Sequence, residues 1–567
     1  MVLKYQDLID KCYSDLNLFS INGQDKIIND ILVQFIDNNK KNIVLQSPLG
    51  SGKSIIGAIV ARAFKYMFSE HLESNDDLLP ASIVVHSNNL VRQYSDTFKN
   101  FTSKDFHQII GASNYKCAAG NHLSDVKNPD YRGDSCFFKT AEEYIKTDFC
   151  ETCEYKLAKA HINKTDVLIT NYSYHFISCM WTHHLKKRII TIFDEAHMIN
   201  DVFCEHNAIY ISVDRIQKYI DECQEHFPGE LKEQILFFKN LKKMMNDNKI
   251  HDSNYMEIIK LVARHYNKIA SVFSKYTADT EDKSSALDES IKMSKISKKY
   301  QDLSCKIGDL ITYNYDHVFE CKDGDISIKS IFVSDMSKQI MSEYNLFMSA
   351  TISDEFMIQT MNLPRDITAF IKVEPIYPAE NKPLMFIGSH KLNYENMNNP
   401  EVIKELRENV YAILEQANEE KNKGIMFTSS FKLGEQLTDK FPKHTKLFLH
   451  KSGVDVNQLI NDFKSYQGSA LLVSPSIYEG LSFDDDLSRF AILSKCPYPS
   501  LGEKRMKYIA NNYPDIYKII TIKKIIQAIG RSVRNKDDYA VSFILDKNIE
   551  YLFNSNLNVW KNEFTIL

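Results

Sequence analysis

Apolar residues along this chain fall into two arrangements. Short, nearly unbroken runs recur at Ile43 to Gln46, in ASIVVHSNN (81–89), in TDVLITNY (165–172) and in RIITIFDEAH (188–197), and each ends on polar residues. Runs of this length and ending suit strands buried on both faces. Between them apolar positions return at helical spacing, as from Ser54 towards Phe68. Strands that alternate with helices predict a parallel sheet covered on both sides.

The pattern changes near residue 201. From there to about residue 340 the chain is rich in Lys and Glu and holds one proline, Pro228. ISVDRIQKYIDECQEHF and MEIIKLVARHYNKIASVF carry helical spacing. A mostly helical insertion is expected, with KYTADTEDKSSALDESIKMSKISKKY as its solvated polar centre. The strand rhythm resumes after YNLFMSATIS (344–353), in KGIMFTSSFKLGEQL, SALLVSPSIYEG and SRFAILSKCPYP. The expected class is therefore α/β, with two parallel-sheet domains. The first is assembled from residues 1–105, 165–200 and 344–375, and the second spans 376–567. Inserts occupy 106–164 and 201–343.

Composition changes this picture in three places. No apolar run approaches the roughly 20 residues of a membrane span, and MVLKYQDLID is too charged for a secretory signal. An intracellular protein is expected, cytoplasmic, nucleoid-associated or nuclear, in which thiols stay reduced. The net charge of -5 gives no global field that would attract a polyanion. The chain has 57 Lys but 12 Arg, so a place that uses two arginines close together, Arg531 and Arg534, is informative.

SPLGSGKS (47–54) fits a phosphate-binding loop of residues Ser47, Pro48, Leu49, Gly50, Ser51, Gly52, Lys53 and Ser54, with Ser47 in place of the first glycine. Backbone N–H groups of Gly50, Ser51 and Gly52 would wrap phosphates, Lys53 would reach the β and γ phosphates, and the Ser54 hydroxyl would ligate Mg²⁺. DEAH (194–197) ends an apolar run, where such folds place a second Mg²⁺ group. Asp194 would hold the ion, and Glu195 would orient or deprotonate the attacking water. In QAIGRSVR, residues Gln527, Arg531 and Arg534 fall at i, i+4 and i+7, one face of a helix. Two arginines there suit charge stabilisation on a γ phosphate. Since these groups come from both α/β domains, ATP is expected in the cleft between them.

One segment stands apart: CAAGNHLSDVKNPDYRGDSCFFKTAEEYIKTDFCETC (117–153) gathers Cys117, Cys136, Cys150 and Cys153 out of 11 cysteines in 567 residues. Four thiolates suit an iron–sulfur cluster or a tetrahedral Zn²⁺ site, and the spacing alone does not choose between them. Unligated thiols are the third reading.

In their order, these motifs resemble those of the superfamily 2 helicases. SAT (349–351) looks like the motif that links ATP state to domain movement, and TSS (428–430) and YEGLSF (478–483) like the second domain's motifs. The resemblance places Glu479 and Gly480 at the nucleotide, and Gln24, in SINGQDKIINDI, at an adenine-reading position. The cysteine segment lies between the phosphate loop and DEAH, as in the iron–sulfur helicases similar to XPD and DinG. TDVLITNYSYHF, DEAHMINDVF and DYAVSFILDKN look like XPD-type segments. Ser482 and Asn548 depart from that family's frequent Asp and Arg.

This resemblance implies two RecA-like motor domains, a 4Fe–4S insert held by the four cysteines, and an arch at 201–343. It also implies ATP-driven 5′ to 3′ movement on single-stranded DNA and unwinding of forked duplex or DNA–RNA hybrid, by a monomeric motor. Backbone-reading DNA contacts are expected from Ser87, Asn88, Asn89, Asn171, Thr428, Ser429 and Ser430, with Tyr172 stacking on a base. Two other functions fit the same motifs: an ATP-driven translocase or remodeller that strips protein or RNA from DNA without strand separation, and a damage-recognition or architectural subunit with a minor ATPase switch.

Overall fold

The computed structural model describes residues 3–21, 23–48, 51–98, 101–102, 104–115, 153–275, 283–313, 315–375, 378–477, 483, 485–530, 533, 538–555 and 564–567. Ahead of the helical insertion come β1 (Asn42–Gln46), β2 (Leu78–Val85), β3 (Phe106–Ile109), β4 (Val167–Asn171) and β5 (Lys187–Asp194). The insertion holds β6 (Ile209–Ile211), β7 (His317–Lys322) and β8 (Asp325–Ser330), and β9 (Tyr344–Ser349) and β10 (Thr368–Lys372) follow it. The remainder gives β11 (Pro383–Phe386), β12 (Lys423–Phe427), β13 (Lys446–Leu449), β14 (Ala470–Ser474), β15 (Phe490–Leu493), β16 (Val541–Ile544) and β17 (Thr565–Ile566).

All of these but β6, β7 and β8 form two parallel sheets, ordered β10-β1-β9-β5-β2-β4-β3 and β13-β14-β12-β15-β16-β11-β17. The apolar runs build them because both faces are buried. Val44, Val84, Phe193 and Phe347 enter one core of the first sheet, while Ile43, Leu45, Ile83 and Ile192 enter the other, under the helix Lys53–Met67. Each such side chain taken out of water contributes about 1.5–3 kcal/mol. The second sheet repeats the arrangement, with Ile425 and Phe427 on one face of β12 and Met426 on the other. Arg188, near the start of β5, is buried and donates to the carbonyls of Ala81 (2.8 Å), Thr165 (3.0 Å), Asp166 (3.1 Å) and Ile162 (2.6 Å). Burial pushes its guanidinium down to about 9, against the pull of Asp166.

Two expectations need revision. The first domain's sheet continues past residue 105, because β3 pairs with β4 in parallel, Phe106 opposite Val167. Helix Glu154–His161 covers that edge through Ala158 and Ile162 against Ile109 and Leu168. The insertion, besides the helices Val213–His226, Lys232–Asn246, Tyr255–Ser274 and Lys283–Tyr313, carries an antiparallel sheet ordered β6-β8-β7. Its signal was present in the sequence: Asp323 and Gly324 sit at φ 52° and 85°, the two left-handed positions of a tight hairpin turn.

The insertion is not a separate core. Its apolar residues run into those of the first sheet and into Met506, Ile509, Ile516 and Ile519 of the second domain. Those four come from the helices Lys504–Asn512 and Pro514–Ile529. Polar contacts fix the same junction: Arg505 lies 3.2 Å from Asp201 Oδ1, and Lys329 lies 3.0 Å from Glu503. Among the described residues no helix is long and apolar enough to cross a membrane.

Candidate functional site

Parallel register brings three chain ends together. Gln46 ends β1 opposite Ser349 at the end of β9, and Asp194 ends β5 opposite Met348. Ligands of open parallel sheets gather outside such carboxyl ends.

Out of β1, the Ser47 N–H donates to the Ser349 carbonyl at 3.0 Å, and the Ser47 hydroxyl to Ser51 Oγ at 2.7 Å. Pro48 is buried behind the loop, while Leu49 and Gly50 lie outside the described residues. Gly52 sits at φ 71° as the residue before helix Lys53–Met67, and a Cβ there would run into the Gln24 carboxamide. Lys53 reaches back to the Ser47 carbonyl at 3.4 Å. Gln24 is fully buried. Its Oε1 accepts from Tyr13 Oη (3.1 Å) and Ile21 N–H (3.3 Å), and its Nε2 donates to the carbonyls of Ser51 (3.0 Å) and Gly52 (3.4 Å). Both lone pairs and both hydrogens are thus used. The residue expected to read adenine instead braces the phosphate loop, and no edge of its amide is left for a base.

Asp194 is buried, with Oδ2 accepting from the Tyr94 hydroxyl (2.8 Å) and Oδ1 from the Glu195 N–H (3.0 Å). Nothing in the motifs pointed to Tyr94; the only hint was an aromatic one helix beyond β2. Burial and then the Glu195 charge push Asp194 above the ordinary carboxylate range, against Lys53. A carboxylate held so far from water, at a strand end next to the one that leads into the phosphate loop, has the donor chemistry that a hard cation takes.

Glu195 adopts φ 54°, uncommon for a side chain with a Cβ. Its Oε2 accepts from Ser349 Oγ (3.1 Å) and lies 3.2 Å from His197 Nδ1. Burial would raise Glu195, but the His197 contact and Lys53 outweigh it and hold the group below its ordinary range. His197 Nδ1 is also 2.8 Å from Ser349 Oγ, and its Nε2 is 2.7 Å from Gln527 Nε2. With the Gln527 amide as donor, the His197 proton sits on Nδ1. A continuous chain of hydrogen bonds then runs from Gln527 through His197 and Ser349 to Glu195, across the two sheets.

The helix carrying Gln527 ends at Ile529 with Gly530 as its cap. Gln527 lies in the last turn of that helix. Arg531 and Arg534, like Glu479 and Gly480, lie outside the described residues.

The residues expected to touch DNA do lie where strands end. Ser87 caps the helix Asn88–Thr97, and Asn171 caps Tyr172–Ile177 by accepting from Tyr174 N–H at 2.7 Å. Asn171 also donates to Asn88, which donates to Asn114 at 2.9 Å. Asn89 is exposed, as are Ser429 and Ser430, the latter capping Phe431–Leu437. Thr428 is fully buried, its hydroxyl turned to the Ser430 carbonyl at 3.1 Å. Tyr172 is not a stacking surface. Its ring is fully buried against Phe176, and its hydroxyl donates to the Asp194 carbonyl at 2.7 Å. Helical geometry after Asn171 turned it inward.

Of the four cysteines, Cys153 is described: a buried free thiol that immediately precedes helix Glu154–His161. That environment fits one ligand of a metal or cluster. Cys117, Cys136 and Cys150 lie outside the described residues.

Two protein families match this chain. The one described as the helicase C-terminal domain covers residues 413–558, and the one described as the type III restriction enzyme res subunit covers 20–228. The whole chain superposes on a solved XPD helicase with a TM-score of 0.59, covering 97% of this chain and 100% of that one at 17% identity. The chain has the fold of XPD. S. tokodaii Xpd4 gives a TM-score of 0.57 at 13% identity, over 96% of this chain and all of the other. In sequence, this XPD-fold chain is 26% identical over 209 residues to the ATP-dependent DNA helicase CHL1 of Meyerozyma guilliermondii, which is 30% of this chain and 25% of that protein. It is 30% identical over 96 residues to the ATP-dependent DNA helicase DDX11 of Danio rerio, 14% of this chain and 11% of that one. The aligned stretches thus span a quarter or less of these two relatives. Within the XPD fold, His197 and Gln527 fall in the two different family matches, so their contact joins the two.

Proposed function

We propose that this chain is an ATP-dependent DNA helicase that moves 5′ to 3′ on single-stranded DNA and parts duplex ahead of it. The hydrogen-bonded chain Glu195–Ser349–His197–Gln527 carries the reading. It ties the carboxylate beside the phosphate loop to a helix of the second domain, so a change at the nucleotide has a mechanical route to domain movement. DNA as substrate is supported by the likeness to CHL1 and DDX11, both ATP-dependent DNA helicases, and direction by the resemblance to XPD and DinG.

In this reading ATP lies with its phosphates on Ser51, Gly52 and Lys53. Glu195 takes the proton of a water whose oxygen attacks the γ phosphorus, and the bond to the ADP oxygen breaks. A magnesium ion on Ser54 and Asp194 would neutralise phosphate charge when bound. Ser349 and His197 hold Glu195 in its strained backbone position. Loss of the γ phosphate alters the hydrogen bonds at Glu195, and Gln527 transmits the change to the second sheet. Cys117, Cys136, Cys150 and Cys153 would hold a 4Fe–4S cluster that staples the small insert.

The test is ATP hydrolysis with and without single-stranded DNA, together with strand displacement on forked duplexes carrying one 5′ or one 3′ tail. DNA-stimulated hydrolysis and displacement from the 5′ tail are expected, both lost in Lys53→Ala. Hydrolysis with no displacement on any fork would leave a translocase instead.

A further inference from the structure

Lys523 lies one helical turn before Gln527 on Pro514–Ile529, so both side chains leave the same face, towards the first domain. Gln527 finds His197; Lys523 finds no hydrogen-bond partner among the described residues, although it is 4% exposed. Its Nζ stands 2.9 Å from the centroid of Phe356. Phe356 belongs to the helix Asp354–Met361, which begins three residues after the SAT stretch.

The charges around it are engaged elsewhere. Asp201, on Ile199–Asn207, attracts Lys523 from a distance but binds Arg505 of Lys504–Asn512 at 3.2 Å. Glu355 pairs with Arg365 at 3.0 Å, and Asp354 accepts from the Glu355 N–H at 2.8 Å. On its own helix, Asp515 pairs with Lys518 at 3.0 Å. An ammonium here has lost its water, and the face of one ring returns only part of that hydration. Burial therefore drives the proton affinity of Lys523 well below its ordinary value, with Asp201 opposing.

We propose that Lys523 is a positioning residue for nucleotide turnover: its buried, unpaired amine disfavours the closed cleft, so the two sheets separate unless bound nucleotide holds them together. This rests on ATP being the ligand of the cleft. Opening wets the amine, which then holds its proton more tightly than it does in the closed form. The closed form therefore holds fewer protons, and raising the pH towards the ordinary lysine value of 10.5 favours closure. Apparent affinity for ATP rises with pH as a result.

The experiment uses the full chain and its Lys523→Met and Lys523→Arg variants. It measures binding of a fluorescent non-hydrolysable ATP analogue, and KM and kcat for ATP, from neutral pH to about 9.5. Met keeps the length and drops the charge. It is expected to lower Kd and KM by about threefold or more at neutral pH, to flatten their pH dependence, and to leave kcat unchanged or reduced by slower opening. Arg cannot shed its proton and should raise both constants. The inference is overturned if Met keeps the wild-type KM and pH slope, or if Met and Arg shift KM in the same direction. A Met variant that melts below wild type also overturns it, since removing an unpaired amine should not weaken the closed fold. Wild type that binds no nucleotide removes the functional reading itself; wild type that binds it with Met unchanged removes this inference alone.

Discussion

The Tyr94 hydroxyl donates to Asp194 Oδ2 across 2.8 Å, and neither residue is more than 5% exposed. This bond favours the ionised carboxylate that burial and Glu195 oppose. Tyr94→Phe should therefore raise the proton affinity of Asp194 further. The acid limb of the ATPase–pH profile is expected to move to higher pH, with the alkaline limb in place. A limb that stays put would mean the phenol does not govern this carboxylate.

Asp194 itself sets activity against stability. Its folded proton affinity lies above the ordinary carboxylate value of 3.8, so the native state holds the proton more tightly than the unfolded chain does. Stability from this group is present at low pH and is lost as pH rises from 3.8 through the raised value. In metal-free protein at neutral pH, Asp194→Asn should gain about 1 kcal/mol by denaturant titration while turnover disappears. Equal midpoints for the two proteins would contradict the burial argument.

His197 and Gln527 should act as one unit. Each alanine variant is expected to lower DNA-stimulated kcat by about tenfold to 100-fold, and the double variant no further than the worse single one. Additive losses would show two independent roles and no relay between the sheets.

Gly52 meets two demands, its φ of 71° and the Gln24 carboxamide against it. In Gly52→Ala the left-handed backbone costs about 1–2 kcal/mol, and the collision adds to it. Nucleotide affinity should fall by more than about tenfold. Adding Gln24→Ala should restore part of that affinity by making room, while the backbone term persists. No recovery in the double variant would place the whole effect in the backbone.

Anaerobic purification with iron, acid-labile sulfide and zinc assayed together tests the cysteine segment. Matched iron and sulfide, lost in Cys153→Ser while the ATP-analogue affinity persists, is the expected result. Stoichiometric zinc without colour would replace the cluster by a tetrahedral thiolate site.

Much of the nucleotide site could be read from the chain because its residues are close in sequence and their geometry is local. A glycine turn between a strand and a helix at 47–54 has few other uses, and a carboxylate pair at the end of an apolar run marks a strand terminus. The readings that failed concern direction rather than position. Tyr172 and Gln24 were placed beside the right loops, yet one side chain turns into the core and the other into the phosphate loop. Residue type gives no information on which way a side chain faces when the neighbouring helix sets its direction. The Asp323-Gly324 hairpin was legible but was overridden by the helical character of the residues around it.

The sequence by itself determined the two parallel sheets, the order of their motifs and the mostly helical insertion within the first, because strand burial and helical spacing are properties of consecutive residues. Tertiary structure alone decided what crosses between distant segments. Tyr94 reaches Asp194 from 100 positions away and Gln527 reaches His197 from 330, contacts that depend on how helices lie across the sheets. Lys523 belongs to the same class. An amine in a helix reads as a solvated charge until a second domain covers it, and only the folded cleft shows that water has been taken away.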